Sequence, residues 1–210
     1  MIRVFVTDDH ELLRVGIKKV LNEEVGMIVG GEARTAAETL DKVRHDQFDV
    51  VVLDLKLPDR NGLEIIGELK TQNKKLAVLV LSMHPEDLLA ERAIAAGADG
   101  YVTKETVSRN LVGAIQTVAA GRKYVSPSLA QLLANHVGTT EQKPPHAALS
   151  DREYQVFLRI GAGEPIAKIA EDCSLSLSTV YTYRARIFEK MNLESDAEII
   201  RYAITKRLIE

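Results

Sequence analysis

Short apolar, β-branched runs alternate with helix-spaced stripes along the first 122 residues. The runs lie at Ile2–Val6, Met27–Val29, Val50–Leu53, Leu76–Leu81 and, more briefly, Tyr101–Val102. Between them, Leu12, Leu13, Gly16, Ile17, Val20 and Leu21 recur at helical intervals, as do Leu63, Ile66 and Leu69, then Leu88, Leu89, Ala93 and Ile94. Continuous apolar strands separated by helices predict a parallel sheet covered on both faces. Five strands and five helices are expected over residues 1–122, a small doubly wound α/β domain.

Residues 126–137 read as a short helix, with Pro127 in its first turn and Leu129, Leu132 and Leu133 on one side. The stretch from Gly138 to Pro145 has no period and ends on two breakers, so it reads as a linker within a connector at 123–148. Beyond it the strand signal vanishes. Residues 149–210 resolve into four helical patterns, with caps expected at Ser150, Ser176 and Ser195. Glu153 and Glu198 follow the first and last of these serines at capping-box spacing. A second, all-α domain is expected there.

Composition narrows the class. With 46% apolar residues in 210, the chain is globular. No apolar run approaches the roughly 18 residues that cross a bilayer. The opening run breaks at Thr7-Asp8-Asp9, too early for a secretory segment, so a cytoplasmic protein is expected. A single cysteine, Cys173, excludes an internal disulfide and a multi-cysteine metal site. The net charge of −3 argues, as a sum, against nucleic acid. Divided by domain it does not: residues 1–122 hold 16 basic and 19 acidic side chains, and the remainder 11 of each. The acidic excess belongs to the first domain.

In open α/β sheets the crevice lies beyond the carboxyl ends of the strands. Asp8 and Asp9 follow the first strand and Asp54 ends the third. Three carboxylates at one mouth repel unless a cation joins them, and a hard, oxygen-liganded ion such as Mg²⁺ suits them. The fourth strand ends at Ser82 and the fifth leads to Lys104, adding a hydroxyl and a cation. Each has a plainer explanation alone: Asp9 as a helix cap, Ser82 as a turn residue, Lys104 as a solvated surface group. Their joint placement favours a site.

These residues carry a resemblance. Thr7-Asp8-Asp9-His10, Val51 to Gly62, Leu79-Val80-Leu81-Ser82-Met83-His84 and Gly97 to Lys104 resemble the receiver domain of two-component response regulators, across essentially all of residues 1–122. The resemblance implies a flavodoxin-like (βα)5 fold in which Asp54 accepts a phosphoryl group from a histidine kinase. Asp8, Asp9, Asp54 and the main-chain carbonyl of Lys56 would hold Mg²⁺. Lys104 and the Ser82 hydroxyl would bind phosphoryl oxygens, and Tyr101 would be the aromatic whose rotamer follows Ser82. Such a parts list suffices, because phosphoryl transfer needs mainly positioning and charge neutralisation.

In the tail, Pro165–Cys173, Ser174–Ser178 and Thr179–Met191 read as helix, turn and longer helix. On the longer helix Val180, Tyr183, Ile187 and Met191 share one stripe, while Ser178, Tyr181, Thr182, Ala185 and Glu189 face the other way. An exposed face of hydroxyl, small and aromatic groups edged by arginines suits a major groove. The tail resembles the LuxR/NarL-type helix-turn-helix. The matching residues are Leu149 to Glu153, Ile169-Ala170, Leu175-Ser176, Ser178-Thr179-Val180, Arg184, Ile187 and Lys190-Met191. By that resemblance Tyr181, Thr182 and Ala185 face bases, and Lys168, Ser178, Thr179, Arg184, Arg186 and Lys190 serve the DNA backbone. Arg152 and Glu153 would tie the first helix of the tail to its scaffold. The family often has lysine at the place of Tyr181 and histidine at that of Tyr183, so a relative's target sequence does not transfer. In the last helix Ile199, Ile200, Ala203, Ile204 and Leu208 are divided between core and a dimer contact in a way the sequence leaves open.

The expected function is a phosphorylation-controlled, dimeric transcription regulator, not an enzyme. A receiver-regulated protein–protein module is the alternative. An aspartyl phosphatase of the haloacid dehalogenase type would carry Asp where Lys56 stands. A flavodoxin-like cofactor carrier would not place Asp8-Asp9 where a phosphate must sit.

Overall fold

In the computed structural model, residues 1–83, 86–126, 129–131, 144–173, 175–206 and 208–209 are described. Five strands, β1 (Ile2–Thr7), β2 (Met27–Ala33), β3 (Val50–Asp54), β4 (Ala77–Ser82) and β5 (Gly100–Thr103), form one parallel sheet in the order β2-β1-β3-β4-β5. The helices between them are α1 (Glu11–Glu23), α2 (Ala36–His45), α3 (Gly62–Gln72), α4 (Glu86–Ala95) and α5 (Val107–Ala119). Every residue of β3 and β4 is buried, which is why those strands read as unbroken apolar runs. Strand order reverses between β1 and β3, and the crevice of such a sheet opens there.

One face of the sheet, with Val4, Val6, Val52, Leu79 and Leu81, packs on Ile17 and Leu21 of α1 and on Leu111, Ile115 and Val118 of α5. Leu12, which shares the apolar spacing of α1, points outward, and Arg14 takes a buried position on that helix instead. Asp9 is not the cap of α1; His10 holds that place. After α5 the chain returns to β5. Tyr124 N–H donates to Asp99 O at 2.8 Å, and the Tyr124 Cβ lies 2.9 Å from where a Gly100 Cβ would stand. Only glycine permits that approach.

The chain divides into two compact units, Met1–Thr139 and Thr140–Glu210. The division falls within the segment expected to connect the domains. Of the short helix expected at 126–137, Leu129 is buried, while Pro127, Leu132 and Leu133 lie outside the described residues, as do Gly138 to Lys143 of the linker and His84 of the first unit.

The second unit opens with a single 3₁₀ turn, Pro145–Ala148, followed by α6 (Asp151–Gly161), α7 (Ile166–Asp172), α8 (Leu177–Met191) and α9 (Asp196–Thr205). Ser150, Ser176 and Ser195 each accept an N–H from the residue three places on. At Ser150 the capping box is complete. At Ser195 it is not, because Glu198 reaches past the cap to Glu194 N–H at 2.7 Å. Tyr154, Phe157, Val180, Ile187, Ile199 and Ala203 form the small core. The last helix is now divided: Ile199, Ala203 and, just beyond it, Leu208 are inside, and Ile204 is 56% exposed. No helix among the described residues is long and apolar enough to cross a membrane.

Candidate functional site

The register of the sheet assembles the mouth. Thr7 pairs with Leu53, and Asp54 is level with Leu81, so Asp8 and Asp54 stand side by side at the carboxyl ends of β1 and β3. Ser82 is level with Thr103, and Lys104 N–H donates to Ser82 O at 2.7 Å, which sets the lysine at the same rim. Its ammonium lies 2.7 Å from Asp8 Oδ2 and 2.6 Å from Asp54 Oδ2. All three side chains are withdrawn from solvent, Asp8 to 1%, Asp54 to 2% and Lys104 to 8% exposure. Tyr101, three residues before the lysine, is wholly buried beside Val80.

Burial dominates the electrostatics. It pushes the Asp54 carboxyl from 3.8 up to about 6, against the pull of Lys104 and with the help of neighbouring Asp8. Burial also works to lower Lys104, but the Asp54 and Asp8 carboxylates outweigh it and the ammonium is held above its ordinary value. One lysine therefore counterbalances two buried carboxylates.

Asp8, Asp9, His10 and Asp54 each bring a ligand atom within 4.8 Å of the others. Asp8 Oδ2 and Asp9 Oδ1 are buried oxygens. Their close neighbours are charged groups, Lys104 Nζ for the first and, at 2.7 Å, His10 Nδ1 for the second. Carboxylate oxygens converging on one point are what a hard divalent cation needs. The residues present fit Mg²⁺.

Several supporting groups at the mouth lie outside the residues expected there from sequence. Arg14 Nη1 donates to Asp8 O at 2.8 Å, and its Nε donates to Glu32 at 3.3 Å. Its signal was available: Arg14 sits three residues before Ile17 and seven before Leu21, on the apolar stripe of α1. His10 turns back onto Asp8 and Asp9. After Asp54, Lys56 N–H donates to Asp54 Oδ1 at 3.1 Å, and Lys56 bridges to Asn61. Asn61 then caps α3 through Leu63 N–H, and Gly62 packs so tightly that a Cβ there would lie 2.4 Å from Asp54 O.

In the second unit, α8 buries Val180, Ile187 and Met191 and half-buries Tyr183. Ser178, Tyr181, Thr182, Ala185 and Arg186 are exposed on it, Thr179 is half-buried, and Lys168 is exposed on α7. Tyr181 is 55% exposed, unusual for an aromatic side chain without a partner surface. Two of the residues expected at the DNA backbone also make ion pairs within this unit. Arg184 donates to Asp196 at 2.7 Å and lies over the Phe188 ring at 4.4 Å. Lys190 donates to Glu153 Oε2 at 2.6 Å, joining α8 to the capping box of α6. Glu153 is buried, whereas Asp196 stays 41% exposed.

Comparison with known proteins matches residues 4–116 to the response regulator receiver domain and residues 147–203 to the LuxR family of bacterial regulatory proteins. Response regulator UvrY of Escherichia coli (strain K12) is 35% identical over 205 residues, 97% of this chain and 94% of UvrY. Response regulator GacA of Pseudomonas viridiflava is 38% identical over 211 residues, 100% of this chain and 99% of GacA. Among solved structures, RcsB from Salmonella enterica serovar Typhimurium, bound to promoter rprA in the presence of phosphomimetic BeF3−, aligns over 96% of this chain and 97% of RcsB. Its TM-score is 0.66 at 22% identity, a likeness of fold.

Proposed function

The chain belongs to the response regulators whose receiver is followed by a LuxR-type DNA-binding domain, and on that premise we propose how its residues control transcription. The observation that carries the reading is the Lys104 ammonium shared by Asp8 and Asp54 at the carboxyl ends of the strands. Asp54 Oδ attacks the phosphorus of a phosphohistidine on a sensor kinase. The P–O bond forms as the P–N bond breaks, and the imidazole nitrogen keeps the electron pair and takes up a proton. Asp8, Asp9, Asp54 and the Lys56 carbonyl would hold Mg²⁺, which would supply positive charge for the phosphoryl oxygens. Lys104 exchanges one carboxylate partner for a phosphoryl oxygen, and Ser82 donates its hydroxyl to another. Tyr101 follows Ser82 as the aromatic switch, so that added charge at the mouth biases the second of two packings. The phosphoryl group is accepted once per activation, so the chain acts as a regulator and not as an enzyme.

On DNA, Tyr181, Thr182 and Ala185 meet base edges in the major groove, where threonine and alanine methyls suit thymine methyl groups. Lys168, Ser178, Thr179 and Arg186 meet phosphates. Arg184 and Lys190 hold the helix at its angle through Asp196 and Glu153. Ile204, with half-buried Ile200 beside it, gives the last helix an apolar surface for pairing with a second copy, and the protein works in the cytoplasm as a DNA-bound dimer.

The test uses the full chain with acetyl phosphate and Mg²⁺. The wild type gains one phosphate and Asp54→Ala gains none; uptake by the variant at the wild-type rate would remove Asp54 from its role. Binding of duplex DNA, measured over a range of salt with and without phosphorylation, tests the second half. Phosphate contacts make affinity fall steeply with salt. A flat response, or no binding in either state, points instead to a protein partner, a reading that the neutral tail and its two engaged cations favour.

A further inference from the structure

The loop after β3 is fastened at its tip to a helix far away in sequence. Asp59 Oδ1 accepts Ala36 N–H at 2.8 Å and Oδ2 accepts Ala37 N–H at 2.9 Å. These are first-turn amides of α2, which have no carbonyl partner within the helix. Burial alone would raise the Asp59 carboxyl, but these donors outweigh it and hold the group below the usual range. The same turn grips the other side of the mouth. Thr39 Oγ1 donates to Thr35 O at 2.7 Å, so at 2.9 Å from Thr7 Oγ1 it accepts the Thr7 hydroxyl. Thr7 immediately precedes Asp8. The first turn of α2 thus ties the end of β1 to the loop that follows β3.

The base of that loop is closed separately, by Gly62 N–H on Leu55 O at 2.8 Å and by the Lys56–Asn61 bridge. Arg60 pairs with Glu64 and Glu68 on α3, so it fastens the loop to its own following helix. Among the side chains described in the loop, Asp59 is the one that reaches α2. We propose that Asp59 is a positioning residue for the divalent cation: its two bonds to α2 set the Lys56 carbonyl at the right place relative to Asp8 and Asp9. The inference rests on the reading of those groups as Mg²⁺ ligands.

Calorimetric titration of MgCl2 into the full chain tests it, with Asp59→Ala, Asp59→Asn and Asp49→Ala beside the wild type. Asp49 accepts Arg3 N–H at 2.7 Å at the opposite end of the sheet, so its loss lowers stability without touching the mouth. Removing an outer partner of a metal ligand weakens metal affinity about tenfold or more. Asp59→Ala is therefore expected to raise the Mg²⁺ Kd about tenfold. Asp59→Asn, which keeps one acceptor oxygen, is expected to raise it about threefold and carries the test if the alanine variant does not fold. Asp49→Ala keeps the wild-type Kd with a lowered Tm. In phosphorylation by acetyl phosphate, the half-saturating Mg²⁺ rises for Asp59→Ala while the rate at saturating Mg²⁺ stays within about twofold. An unchanged Kd in Asp59→Ala, or equal weakening in Asp49→Ala, overturns the proposal. A wild type that binds no Mg²⁺ at millimolar concentration overturns the ligand assignment and the proposal together.

Discussion

Replacing Asp54 by asparagine should make the receiver more stable while removing its phosphoryl acceptor. The folded carboxyl is pushed from 3.8 up to about 6, chiefly by burial. A folded-state value above the unfolded one means the native protein binds the proton more tightly, so ionising Asp54 at neutral pH costs stability. One pKa unit corresponds to about 1.4 kcal/mol, so the full penalty above pH 6 is about 3 kcal/mol. Asparagine keeps the shape and an oxygen for Lys56 N–H, and Lys104 keeps Asp8 as a partner. The new amide hydrogens need acceptors, which returns about 1 kcal/mol. The net gain is about 1–3 kcal/mol, or roughly 4–12 °C in Tm for a domain of this size. Scanning calorimetry in EDTA at pH 7.5 should show it in the receiver transition. The penalty grows as pH rises from 3.8 to 6 and is only about 1 kcal/mol near pH 4.5, where the amide cost cancels it and the gap between variant and wild type should close. Mg²⁺ should also narrow it at pH 7.5, by stabilising the wild type more. A variant no more stable than wild type at pH 7.5, or a gap independent of pH, would refute the assignment of a buried charge penalty to Asp54.

Glu153→Ala removes half of the capping box and the Lys190 pair together, and urea unfolding should show a loss of about 2 kcal/mol in the second unit, with Glu153→Gln losing clearly less. Glu153 is held below its ordinary value because Lys190 and the Ser150 N–H outweigh burial; its contribution should be present above about pH 4.5 and be lost as pH falls further. Gly62→Ala forces a Cβ against Asp54 O and the Leu55 backbone, so chemical denaturation should register a loss of about 3 kcal/mol. Arg186→Ala and Lys168→Ala should each weaken binding to all duplex sequences and lower the salt slope by about one, whereas Tyr181→Ala should change which sequence is preferred in binding-site selection.

Much of the fold was legible because the central strands β3 and β4 are buried on both faces and announce themselves as apolar runs. The rim was legible for a related reason. Asp8, Asp54, Ser82 and Lys104 interrupt or directly follow such runs, and a polar group at the end of a buried strand has few places to go. What pattern could not give were bonds between residues distant in sequence. Asp59 on α2, Arg14 on the Asp8 carbonyl and Lys190 on Glu153 each depend on which loop lies beside which helix. Helix α2 itself is polar on average, and only Ala36, Thr39 and Val43 are buried on it, so few large apolar residues mark it in the sequence. The division of α9 between core and surface also needed the packing: Ile199 and Ile204 look alike in sequence and face opposite ways.

The two cations of α8 that are turned onto Asp196 and Glu153 bear, on the proposed reading, on the shape of the response as well as on the angle of the helix. With Arg184 and Lys190 paired to Asp196 and Glu153, one copy would, on the proposed reading, present fewer unpaired positive charges to a duplex. On the proposed dimeric reading, two joined copies would hold neighbouring half-sites, and the second contact would become an intramolecular event at high effective concentration. Occupancy of a promoter then follows the square of the activated population while dimers are scarce. A modest rise in kinase output crosses a threshold, and a modest fall clears the site.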